Sequence, residues 1–126
     1  VEEGQTFALE STLSGRAYID LCRSAKERGY RITLYFISLS SVDLTLERIA
    51  FRVQRGGHNV SESLVRRRFE RSFNNFFTMY RPLADSWEMY DNSSSAYEFV
   101  AREINNELNV GNAVVYDRLF REYGQA

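Results

Sequence analysis

Arginines supply the first chemistry this chain offers. From Leu46 to Phe77 it reads LERIAFRVQRGGHNVSESLVRRRFERSFNNFF. Arg48, Arg52 and Arg55 recur at spacings of four and three, which places them on one face of a helix. Arg66, Arg67, Arg68 and Arg71 follow within six residues. A guanidinium holds its donors in a planar fork that suits phosphate oxygens. The pattern predicts a helical hairpin with a basic lining, joined through Gly56, Gly57 and His58. Arg52, Arg55 and Arg68 are the preferred phosphate contacts, because Arg66, Arg67 and Arg71 cannot all face inward with them. A solvated charged face is the competing reading for any single arginine, and Glu62 and Glu70 are available to pair with some of them.

A carboxylate faces this cluster in the expected fold. Glu10 closes a short apolar run at 6–10, TFALE, which reads as a buried strand. A carboxylate at a strand tip accepts hydrogen bonds from a sugar or another polyol. Thr12 or Ser14 can add a hydroxyl contact, and Ser14 is the expected cap of a helix at 15–28 whose amino end favours anions. The plainer alternative is that Glu10 ties down a loop and Ser14 only caps. His58 can bind phosphate or a partner loop, or serve the hinge alone. Asp91, Asn92 and Ser93 can accept the rim of a nucleotide base, or form an ordinary polar turn.

These residues need elements to position them. The helix at 15–28 should stop at Gly29, with Cys22 on its apolar side. A long apolar run at 32–39, ITLYFISL, is expected to be a parallel strand covered on both faces. With the strand at 6–10 it makes a βαβ unit, right-handed by rule. Ser41 and Ser61 should cap the two arginine-bearing helices, and Pro82 should stop the second near Arg81. Phe69, Phe73, Phe76, Phe77 and Tyr80 form a stripe that reads as core. Residues 87–90 read as a third strand and 97–107 as a helix burying Phe99, Val100, Ile104 and Leu108. A short strand at 113–116 and a last helical piece at 117–123 complete the order β-α-β-α-α-β-α-(β)-α. The class is α/β, a parallel sheet with flanking helices. Ligands in such sheets bind beyond the carboxyl ends of the strands, which selects 10–14, 40–43 and 91–94.

Composition narrows the partners. The chain has 126 residues, consistent with one domain, and 44% are hydrophobic. Sixteen basic and seventeen acidic residues leave a formal charge of −1. Broad attraction to nucleic acid is therefore not expected, and an anion site must be local. One cysteine and one histidine argue against a disulfide framework or a structural zinc site. No run is apolar enough to span a membrane and no leader is evident, so a cytoplasmic protein is expected. No G-x-x-x-x-G-K-S/T loop occurs, and the chain reads as the later part of a larger domain.

The colinear series FALESTLSGR, AKERGYRITLYFISL, RVQRGGHNVSESLVRRRFERSFNNF and YRPLADSWEMYDNS resembles the zeta toxin family of P-loop kinases, in its short chromosomal form. The resemblance covers about residues 5–94 and implies a P-loop kinase core with an arginine-bearing lid at about 46–77. It implies an ATP- and Mg2+-dependent phosphotransferase acting on UDP-N-acetylglucosamine or a related sugar nucleotide, blocked by an antitoxin protein. The family's glutamate-x-threonine matches Glu10-Ser11-Thr12, which would hold the acceptor. Arg52 matches the first lid arginine. The second falls near His58, where the lid here is shorter, so Arg55 or Arg68 would substitute. Asp91 to Ser93 would border the adenine. The Walker A loop, with its lysine and metal-binding hydroxyl, and the catalytic aspartate precede this region in the family. The 126 residues are thus expected to be inactive by themselves. An N-terminal segment or a second copy would complete the sheet. A non-catalytic binding or regulatory module built on the same fold is the alternative.

Overall fold

The structure, a computed structural model, describes residue 13 and residues 15–39, 41–57, 61–94 and 96–124. The expected strand at 6–10 lies outside the described residues, as do Glu10, Thr12, Ser14 and His58.

Helix α1, Ile19–Glu27, buries Ile19 and Ala25. It starts later than its apolar spacing suggested, because residues 15–18 are spent in a turn. That turn is tied to the interior: the Asn75 amide donates to the Leu13 carbonyl at 2.6 Å and the Tyr80 hydroxyl to the Gly15 carbonyl at 3.3 Å. Gly29 ends the helix as expected, at φ +87°, a conformation that a Cβ disfavours. Strand β1, Thr33–Ser38, follows.

Helices α2, Val42–Gln54, and α3, Glu62–Asn75, begin where their serines predict. The Ser41 hydroxyl accepts from the Leu44 amide and the Ser61 hydroxyl from the Leu64 amide, each at 3.4 Å. α3 does not simply stop at Pro82. It widens into a π-helical turn, Phe76–Tyr80, then tightens into a 3-10 turn, Arg81–Leu83, that accommodates the proline. The wide turn lets the adjacent Phe76 and Phe77 both be buried, at 0% and 2% exposure.

The helices do not form the simple hairpin that the sequence suggested. Arg66, near the start of α3, lies 3.3 Å from Asp43 in the first turn of α2. In an antiparallel hairpin Asp43 would lie beside the far end of α3. Instead, the amino-terminal parts of α2 and α3 are joined by this contact. α3 and the turns after it lay the aromatic stripe on the sheet and lead into strand β2, Ser86–Asp91.

The sheet has the order β1-β2-β3-β4. β1 and β2 are parallel, pairing Thr33 with Ser86 through to Ser38 with Asp91. Residues 97–107 are not helical: β3, Glu98–Ile104, and β4, Glu107–Val110, add antiparallel to β2. Asn105 and Asn106 adopt φ of 54° and 64°, the left-handed pair a two-residue hairpin requires. The sheet is therefore mixed, where an all-parallel one was expected. The expected strand at 113–116 is instead the first turn of helix α4, Ala113–Tyr123. Asn112 caps it by accepting from the Val115 amide at 3.1 Å.

One face of the sheet carries the core. Phe36 stacks on Phe76 at 4.7 Å and meets Phe73 edge-on at 5.1 Å. Trp87 lies edge-on to Phe76, and Phe77 packs against Phe120 of α4. The stripe expected to be core is core. Among the described residues the other face is open, with Tyr35 at 66%, Ile37 at 46% and Ile104 at 44% exposure. The two-sided cover expected of β1 is thus not supplied by the described residues.

Candidate functional site

Two loops meet at the carboxyl edge of the β1–β2 pair. Because Ser38 and Asp91 are register partners, the end of β1 and the polar turn after β2 lie side by side. The Asn92 amide closes the junction by donating to the Ser38 carbonyl at 2.8 Å. Asp91 is buried, and its carboxylate accepts from the Ser93 amide at 3.0 Å and from the Ser93 hydroxyl. This is a side-chain turn that fixes residues 91–93. With Asp91 and the Asn92 and Ser93 backbone amides all engaged at this junction, the Asn92 side chain is the polar group of the turn best placed to meet a ligand. Asn92 and Ser93 are half-buried. Three residues past Ser38, Ser41 starts α2, whose amino end opens onto the same edge.

The arginines are less concentrated than their spacing implied. Arg52, Arg55 and Arg68 are all exposed. The Arg55 guanidinium lies over the Phe51 ring of its own helical neighbourhood, 4.8 Å from the centroid. Arg52 is nine residues beyond Asp43, so it stands about 14 Å farther along the helix axis, away from the edge. Arg68 is on α3, two residues past Arg66. Among the described residues, no hydrogen bond or ion pair joins these three arginines to the turn at 91–93.

Among the described residues an ion pair links the two helices through Arg66, which is not one of the three preferred phosphate contacts. Its Nη2 meets Asp43 of α2 at 3.3 Å and Glu62 of its own helix at 3.0 Å. The four-residue spacing from Glu62 to Arg66 was a visible signal for half of this cluster. Nothing in the sequence signalled Asp43.

Away from the edge, two polar constellations are structural. Asp85 accepts from the Ile32 amide at 2.7 Å and lies near the Lys26 ammonium, which also donates to the Leu83 carbonyl. The Ile32 hydrogen bond, aided by Lys26, holds the Asp85 carboxyl below the usual range. Arg81 stacks over Phe77 and Phe120 and donates to the Tyr116 hydroxyl at 3.1 Å. Cys22 is half-buried, and burial pushes its thiol up.

Among the described residues no group of three histidine, cysteine, aspartate or glutamate side chains could hold a metal ion. They do not by themselves fit a Mg2+ site. No helix among the described residues is long and apolar enough to cross a membrane.

No family model matches the chain, and no solved structure matches it. It is similar to an uncharacterized protein of Haemophilus influenzae, 41% identical over 63 residues, which is 50% of this chain and 45% of that protein. The chain thus matches about half the length of that relative.

Proposed function

We propose that this chain is the acceptor- and lid-bearing part of an ATP-dependent small-molecule kinase related to the zeta toxins. In the full-length protein it would phosphorylate a hydroxyl of UDP-N-acetylglucosamine or a related sugar nucleotide. One observation carries the reading beyond the sequence resemblance. The Ser38–Asp91 register sets the turn at 91–93, the amino end of α2 and the start of α3 around one strand edge. Open α/β sheets bind ligands at such an edge. The turn would border the nucleotide base, and Arg52 with Arg55 or Arg68 would meet the transferring phosphates. Glu10 and Thr12, with Ser14, would hold the acceptor, and His58 would stand at the lid tip. An antitoxin protein would be the regulatory partner, and the cell compartment would be the cytoplasm.

The mixed sheet and the separated arginines favour a second reading. A module that binds a nucleotide or a protein needs the edge but not the convergence of Arg52, Arg55 and Arg68. The deciding experiment is ATP-dependent phosphorylation of a nucleotide-sugar panel by the full-length protein, beside the 126-residue chain alone. Phosphate transfer by the former and none by the latter is expected. ATP binding without transfer to any acceptor would favour the module, and no binding of ATP would overturn the kinase reading.

A further inference from the structure

Helix α2 is held differently from its neighbours. α1, α3 and α4 each bury side chains, whereas α2 buries none. Its first turn touches the core through Val42. Leu44, Leu46, Ile49 and Val53 are only half-covered, and Phe51 is 56% exposed. Its amino end is also joined to α3 by the Asp43–Arg66 ion pair at 3.3 Å. Its carboxyl end runs into Gly56, at φ +95°, and the Gly57 amide bonds back to the Arg52 carbonyl at 2.8 Å.

We propose that α2 is a separately opening unit, docked on α3 by Asp43 and Arg66, that leaves while the aromatic core stays closed. Releasing α3 would expose Phe69, Phe73 and the rings stacked on them, a large apolar loss. Releasing α2 uncovers half-buried aliphatic groups and one exposed ion pair, so its opening free energy lies at the low end of the molecule's range. Thirteen residues are too few to stay helical unsupported, so an opened α2 exposes its amides to exchange. The consequence for the site rests on the kinase reading. Arg52 rides on α2, Arg55 follows directly at its end and Arg68 is on α3, so docking of α2 sets their separation. The opening itself does not depend on that reading.

Amide hydrogen exchange followed by mass spectrometry on the whole chain tests this without a ligand. Peptides from 42–54 are expected to exchange about a hundredfold faster than peptides from 65–77. Arg66→Gln, made on α3 and read on α2, is expected to raise α2 exchange by about two- to fivefold, the weight of an exposed pair. The 65–77 peptides should not change. Exchange of α2 in step with α3 would overturn the proposal, as would an unchanged α2 rate in Arg66→Gln. Because no nucleotide enters the measurement, its failure is separate from failure of the kinase reading.

Discussion

The Trp87 indole donates its N–H to the Glu103 carboxylate at 3.0 Å, across the antiparallel pair of β2 and β3. Trp87 is 1% exposed and is among the largest fully buried side chains. A buried indole left without an acceptor is destabilising. Replacing Glu103 by Ala is therefore expected to lower stability by about 1–3 kcal/mol. Gln, which keeps an acceptor, should lose less. Urea unfolding followed by tryptophan fluorescence measures both. If Ala and Gln were equally harmless, this contact would not support the sheet.

That contact also shows why residues 97–107 misled a reading by period. Phe99, Val100, Ile104 and Leu108 fit one helix face, but Ile104 and Leu108 are 44% and 45% exposed. The buried residues are Val100 and Ala101, beside a register shift opposite Met89 and Tyr90. A bulge that turns adjacent residues inward destroys simple alternation and leaves a spacing that imitates a helix. Asn105-Asn106, a pair tolerant of left-handed turns, was the signal that could have corrected it. Conversely, Ser41, Ser61 and Gly29 were legible because capping and termination are local chemistry. The site was legible in part. The turn at 91–93 follows from local polarity, but its alignment with Ser38 and the Asp43–Arg66 link arise from tertiary packing. No local spacing encodes that packing.

The one-sided core makes a contrast measurable on β1. Phe36 is 7% exposed and meets Phe73 and Phe76, while Tyr35, one residue earlier, is 66% exposed on the open face. Phe36→Ala is expected to destabilise by about 3–5 kcal/mol, whereas Tyr35→Ser should stay within about 0.5 kcal/mol. Chemical denaturation of the two variants provides the check. Comparable losses would mean that the open face is covered in solution.

Stability should fall at both ends of the pH scale, for different reasons. The Asp85 carboxyl is held low by the Ile32 amide and then by Lys26. Its contribution is present above the unfolded value of about 4 and disappears as pH falls through the lower folded value. The Tyr123 phenol is pushed up to about 12, by burial first and by Glu122 next. Unfolded tyrosine ionises near about 10, so the fold is favoured fully below that pH and loses support as pH rises towards the folded value. Asp85→Asn should flatten the acid limb, and Tyr123→Phe the alkaline limb, of the urea midpoint plotted against pH. A variant that leaves its limb unchanged would remove that residue from the account.

Arg52 offers the sharpest separation between the two functional readings. It is exposed on α2, about 14 Å along the axis from the edge where Asp43 stands. An arginine that meets charge only as the phosphoryl group moves stabilises the transition state more than the bound ground state. In the full-length protein, Arg52→Ala should then lower kcat by about a hundredfold while the acceptor KM moves much less. Should the same substitution weaken nucleotide or partner binding with no turnover to lose, the arginine would be a binding contact. Should it change neither, Arg52 would be a solvated residue on the outer face of α2, and phosphate contact would have to come from α3. Steady-state kinetics beside equilibrium ATP titration distinguishes these outcomes, because only a transition-state role moves kcat while leaving the titration in place.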